Sequence, residues 1–348
     1  MKKTVIGLML AAGVLGSAAL VSTQAQQNSP SKYCAAGNTV KFAGIGWESG
    51  QFITEVLRNI LERGYGCKTE VIIGSTTVTE TALINGDLHV WAEEWEGFND
   101  IVIKGVKDGK AKLVGKVLQG GTAEGWFVPR YVVEGDAARG IKALAPDLKS
   151  VADLAKYKDL FKDDENPNKS RLLGCVSGWV CDKTNDGKLK AYKLDGMYAQ
   201  FKPGSQAALD ASVASAFTQG KPILFYYWAP TSLLGKYDVV QLKEPKYNAK
   251  CYELEKANDP KSCPSATPSA TLRINLNADF AKADAALTRV FSKTSFSLDQ
   301  LQKAILRVSE DKISPSDAAA DFMKNQKATW SKWVPANVAQ KIESSMMK

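Results

Sequence analysis

Four tryptophans stand where the chain is built to hold an aromatic ring still. Trp47 follows a strand-like run, Trp95 closes VWAEEW, Trp228 ends FYYW ahead of Ala229-Pro230, and Trp179 lies in LLGCVSGWVCDK between Cys175 and Cys181. The chain has eight tryptophans in 348 residues. Trp330 and Trp333 read as helix core. Converging indole faces suit a cation that water holds weakly. A quaternary ammonium has no N–H to donate, so a carboxylate cannot hydrogen-bond it. Each ring face still attracts it by about 0.5–1 kcal/mol when exposed and about 2 kcal/mol or more when desolvated. Three or four rings account for much of a micromolar affinity, about 8 kcal/mol. Each ring must be fixed beforehand, because ordering it on binding erodes the gain. A Cys175–Cys181 bridge with Gly178 inside it fixes Trp179. It also fixes the neighbouring backbone N–H groups, which can grip a carboxylate as a nest does.

The elements that position these rings alternate. Residues 39–45 read as a strand. Ser49 then caps a helix carrying Phe52, Ile53, Val56, Leu57, Ile60 and Leu61 at helical spacing. Residues 68–73 read as a second strand, 75–86 as a helix, and 88–91 as the start of a third strand. Later strands are read over 125–133 and 223–228, with helices opening at Ser150, where Asp153 stands at capping-box spacing, and at Ser205. The tail from Asn277 reads as helices, one opening at Ser314-Pro315. The pattern is α/β with largely parallel sheets. In such sheets ligands bind beyond the carboxyl ends of strands, which is where these tryptophans fall.

The first residues, MKKTVIGLMLAAGVLGSAALVSTQAQQ, have Lys2 and Lys3, an apolar run from Val5 to Val21, and small residues at Thr23 and Ala25. They read as a secretory signal peptide over 1–25. The formal charge of +8 falls to +6 without Lys2 and Lys3. The lysines are scattered, which gives no nucleic-acid footprint. Six cysteines in an exported chain permit disulfides. Proximity pairs Cys175 with Cys181 and Cys251 with Cys263, leaving Cys34 for Cys67. With His89 the only histidine and no CxxC spacing, neither a metal site nor a cofactor is expected. An enzyme reading lacks parts. No GxSxG occurs, and the adjacent Glu93 and Glu94 point to opposite faces of a strand.

The chain resembles the periplasmic glycine-betaine-type substrate-binding proteins of ABC importers. The resemblance rests on Gly86 to Trp95 followed by Asn99-Asp100, on GCVSGWVC from Gly174 to Cys181, and on FYYWAP from Phe225 to Pro230. It implies a two-lobe periplasmic binding protein fold of type II, with the ligand between lobes. Lobe 1 would be discontinuous, over 26–125 and 236–348, with lobe 2 over 126–235. The chain would cross near 122–126 and 229–237. Trp95, Trp179 and Trp228 match the family's aromatic box, with Trp47 a further wall, and Val180 and Cys181 would meet a ligand carboxylate through their backbone. The implied protein is a periplasmic monomer that hands a methylated amine to an ABC permease. Family betaine binders carry a histidine where this chain has Asn99. That departure, and a neighbourhood containing Glu48, Glu93, Glu94, Glu96 and Glu124, keep choline and trimethylamine N-oxide open as ligands beside glycine betaine. A ligand-presenting sensor subunit would share the same cleft.

Overall fold

The computed structural model describes residues 30–347, so the signal peptide read over 1–25 lies outside the described residues. The strands are β1 (Thr39–Gly44), β2 (Lys68–Ile73), β3 (Val90–Trp95), β4 (Ala111–Val114), β5 (Ala123–Pro129), β6 (Ser170–Leu173), β7 (Tyr198–Phe201), β8 (Phe225–Ala229), β9 (Val239–Gln241) and β10 (Leu272–Asn277). They form two five-stranded sheets, ordered β2-β1-β3-β10-β4 and β7-β6-β8-β5-β9. The helices that matter for the site are α1 (Glu48–Ile60), α2 (Thr76–Asn85), α3 (Asp100–Lys107), α4 (Val180–Ala191), α5 (Gln206–Gln219) and α6 (Ala249–Lys256).

Both sheets are mixed. β1 runs parallel to β2 and β3, and β6 runs parallel to β7 and β8. β10 is antiparallel to β3 and β4, and β5 is antiparallel to β8 and β9. The reversed strands have one cause. Leu272 at the start of β10 pairs with Trp95 at the end of β3, and Ala123 at the start of β5 pairs with Ala229 at the end of β8. Each is the first strand after a change of sheet. Each enters from the carboxyl end of its neighbours, so it must run against them.

The return crossing differs from the expected 229–237. The outgoing one lies between Val114 and Ala123. The return lies between Gln241 and Leu272, because Val239 and Val240 pair with Pro129 and Val128 and complete the edge of the second sheet. The expected boundary at 235/236 therefore cuts through a segment that still belongs to that sheet.

Local chemistry explains the elements. In α1 the apolar stripe of Phe52, Ile53, Val56, Leu57 and Ile60 is wholly buried, as its spacing requires. Phe52 meets Phe296, in the connection between two late helices, and Phe322, in the helix opened by Pro315, at 5.7 and 5.6 Å between ring centroids. Pro315 does occupy the first turn of its helix. Ser150 and Asp153 form the anticipated capping box, but the helix they open, Val151–Tyr157, is a 3-10 helix. Disulfides join Cys34 to Cys67, Cys175 to Cys181 and Cys251 to Cys263.

The return segment is fastened to α4. Lys188 Nζ lies 2.6 Å from Glu244 Oε1 and donates to the Ser265 carbonyl at 2.8 Å. Gly187 allows α6 to approach as backbone on backbone, since a Cβ there would sit 2.0 Å from the Glu255 carbonyl oxygen. On its other side α6 reaches the first sheet's elements. Tyr252 packs edge-on to Phe98, and Lys256 Nζ donates to Asp100 at 2.9 Å.

Candidate ligand-binding site

A cavity of ≈ 70 Å³ lies where the carboxyl ends of the two sheets face each other. One water occupies about 10–15 Å³ in this measure, so it offers about five to seven such positions. Its walls include Trp47, Trp91 and Trp95 from the first sheet's side and Trp179, Tyr226 and Trp228 from the second. All four tryptophans singled out in the sequence are therefore in one place.

The indoles stand at steep angles to one another. Trp47 and Trp179 have centroids 5.3 Å apart and planes at 78°. Trp179 and Trp228 are 5.1 Å apart, also at 78°. Tyr227 stacks on Trp228 at 4.5 Å and 16°. Edge-to-face contact is the preferred way for such rings to meet, and it leaves faces turned inward at right angles, as a box needs.

Each ring is held by its element. Trp179 is the N-cap residue of α4, and the Cys175–Cys181 bridge closes the loop around it. Gly178 supplies the left-handed φ of +86° that turns this loop beside Ser75. Trp47 follows β1 and is the N-cap residue of α1. Trp95 ends β3, and Trp91, Glu93 and Trp95 share one face of that strand by the two-residue period. The Trp47 and Trp95 indole N–H groups both donate to Glu93 Oε1, at 2.9 and 3.2 Å. The Trp91 indole donates to the Glu93 carbonyl at 2.9 Å.

Carboxyl groups dominate the polar lining. Glu80, Glu93, Glu94 and Glu124 all line the cavity, and no lining residue is Lys, Arg or His. Burial pushes Glu93 up to about 7, against the donors Ser49, Trp47 and Trp95. Burial likewise raises Glu94 to about 7, beside Glu80, whose carboxyl burial and the Glu94 charge drive well above the usual range. Burial raises Glu124 to about 7 although the Tyr226 hydroxyl donates to it at 2.7 Å. The Oε2 atoms of Glu80, Glu93 and Glu94 have no hydrogen-bond partner among the described residues, nor does Asn99 Nδ2. Asn99 Oδ1 is occupied, accepting the Ile101 N–H at 3.0 Å as the cap of α3. Only the amide's donor end remains free.

Opposite the carboxyls, α4 begins with no side-chain cap. Val180 and Cys181 line the cavity in its first turn, where N–H groups have no intrahelical acceptor and the helix dipole is positive. Every residue picked from the sequence for ligand binding (Trp47, Glu94, Trp95, Asn99, Trp179, Val180, Cys181 and Trp228) lines the cavity. Of the wider acidic set, Glu93 and Glu124 also line it. Glu48 lines a separate hollow beside Gln206, and Glu96 pairs with Arg273 at 3.0 Å. Thr76, Glu80, Trp91, Phe98 and Tyr226 were missed. The strand period points to Trp91 and the FYYW run to Tyr226, but nothing in TTVTETALIN marks Glu80.

Two mixed sheets with a ligand-sized aromatic cavity between their strand ends define a periplasmic binding protein of type II. The crystal structure of the glycine/betaine/L-proline-binding protein ProX from Borrelia burgdorferi has this fold, with a TM-score of 0.71 at 19% identity over 88% of this chain and 100% of that one. Residues 38–325 match the model of the substrate binding domain of ABC-type glycine betaine transport systems, and the chain belongs to that family. It is 28% identical over 245 residues to the glycine betaine-binding periplasmic protein OusX of Dickeya dadantii, covering 68% of this chain and 70% of that one. It is 26% identical over 284 residues to the trimethylamine N-oxide-binding protein of Pelagibacter ubique, covering 82% and 87%.

Proposed function

We propose that this chain is the extracytoplasmic solute-binding subunit of an ABC importer, acting as a periplasmic monomer that captures a small methylated amine and delivers it to the permease. It carries out no catalysis. Two lobes, one built on each sheet, close on the ligand, a reading supported by the Trp47–Trp179 contact across the two sheets. The observation that carries the reading is the right-angled set of Trp47, Trp179 and Trp228. Three desolvated faces supply about 6 kcal/mol to a trimethylammonium group, a large part of a micromolar affinity.

A narrower reading favours a ligand without a carboxylate, such as trimethylamine N-oxide or choline, over glycine betaine. Its support is the set of four glutamates without a basic partner in the lining. A cation gains from ionised carboxyls, an N-oxide oxygen gains from protonated ones and from Asn99 Nδ2, and a ligand carboxylate meets like charge. The start of α4 is the one feature favouring a betaine. Calorimetric titration with glycine betaine, choline, carnitine, proline betaine and trimethylamine N-oxide decides both points. Failure of all five to bind refutes the methylated-amine assignment, and tightest binding of glycine betaine refutes the narrower one.

A further inference from the structure

We propose that Glu93 is the positioning residue of the cage: one carboxylate oxygen holds the indoles of Trp47 and Trp95, and the other is presented to the bound ammonium. The inference rests on the methylated-amine reading for its ligand but not for its geometry. Trp179 has a disulfide to hold it, whereas Trp47 and Trp95 have none. What they share is an acceptor, Glu93 Oε1, at 2.9 and 3.2 Å. The two rings come from different places, Trp47 from the loop after β1 and Trp95 from the end of β3, so one oxygen ties two walls together.

A carboxylate at this depth needs a reason. Glu93 lines the cavity yet is only 1% exposed, and its Oε2 has no hydrogen-bond partner among the described residues. An uncompensated buried charge is costly. The Ser49, Trp47 and Trp95 donors offset that cost in part, and burial still raises the group to about 7. The charged neighbours at the cavity, Glu80, Glu94 and Glu124, can only raise it further. A ligand cation supplies the missing compensation. The link also works in reverse. An indole that donates to a carboxylate has its N–H polarised, which makes the ring face more negative and its hold on a cation stronger. Glutamine at this position would keep an acceptor oxygen but turn N–H groups toward the cation.

The test combines ligand titration with the indole N–H resonances of Trp47 and Trp95, read by NMR on ¹⁵N-tryptophan-labelled protein. In E93Q, affinity for choline should fall by about thirtyfold, more than that for trimethylamine N-oxide, whose oxygen can accept from the new amide, and both resonances should move upfield. The neutral analogue with tert-butyl in place of trimethylammonium should lose little. In W47F the remaining Trp95 N–H no longer shares its acceptor, so its resonance should move downfield; this serves if E93Q fails to fold. Unmoved resonances in either variant overturn the positioning role, and choline affinity within twofold of the parent overturns the electrostatic one. If the unsubstituted protein binds neither ligand, the methylated-amine reading falls, while the resonances still decide whether Glu93 holds the two rings.

Discussion

Trp47 meets Trp179 edge to face across the boundary between the two sheets, with ring centroids 5.3 Å apart. One indole is carried by the loop after β1 and the other by the disulfide loop before α4. The cage is therefore complete only when both sheets' strand ends are apposed, which ties ring geometry to closure of the cleft.

Removing one wall should be costly. Trp179→Ala, Trp228→Ala and Trp95→Ala are each expected to weaken ligand binding by about 2 kcal/mol, roughly thirtyfold. Phenylalanine should recover part of the loss and leucine none, because only the former keeps a ring quadrupole. Calorimetry in which leucine and phenylalanine behave alike would mean that the rings act by shape alone.

Replacing Cys175 and Cys181 together by serine should weaken binding while shifting the melting temperature only modestly. The bridge closes a loop with a sequence separation of 6, so it removes little freedom from the unfolded chain, yet it orients Trp179. Unchanged affinity would dissociate the bridge from recognition.

Affinity should depend on pH in opposite senses for different ligands. Glu93, Glu94 and Glu124 sit near 7 in the empty site. The Glu80 hydrogen bond lowers Glu94 while the Glu96 charge raises it, and Lys188 and Glu244 act oppositely on Glu124. From pH 6 to 8 the cavity gains negative charge. Choline should bind more tightly over that range and release protons on binding. Glycine betaine and trimethylamine N-oxide should bind less tightly. Titrations at pH 6, 7 and 8 with parallel trends for all three would show that these carboxyls do not titrate against the ligand.

The same carboxyls set the stability of the empty protein. Unfolded, each loses its proton near the ordinary glutamate value of about 4.3. Folded, Glu93, Glu94 and Glu124 keep theirs to about 7, and burial beside Glu94 holds Glu80 well above its ordinary range. Between these limits the folded state binds more protons, so stability falls as pH rises. The melting temperature of ligand-free protein should therefore drop from pH 5 to pH 8, and a steady rise would contradict buried neutral carboxyls.

Gly187→Ala should destabilise the protein by about 1–3 kcal/mol or more, as overpacking does. Its added methyl would collide with rigid backbone at Glu255 rather than with a movable side chain. A thermal melt within a degree of the parent would mean that α4 and α6 part easily.

Much of the site was legible because it depends on short stretches of sequence. Ring-bearing strand ends and a short disulfide loop announce themselves locally, and Asn99 was read through the family resemblance, as the residue standing where betaine binders carry a histidine. The reversed strands were not legible. The direction of β10 follows from where the chain re-enters the first sheet, about 150 residues after it left, and LRINLN has no mark of that. Glu80 was equally hidden. A glutamate in a polar helix reads as solvated, and only the approach of β3 places it against Glu94.

Asn99 lines the cavity and spends its oxygen on the first turn of α3, which leaves its amide nitrogen without a partner among the described residues. The ligand's view of this residue is thus dictated by a backbone requirement rather than chosen freely from two rotamers. Aspartate would cap the helix equally well and present an acceptor in place of the donor. One atom exchanged there would reverse the polarity of the contact but add a buried carboxyl beside four glutamates, so at this position ligand preference and stability are tied together.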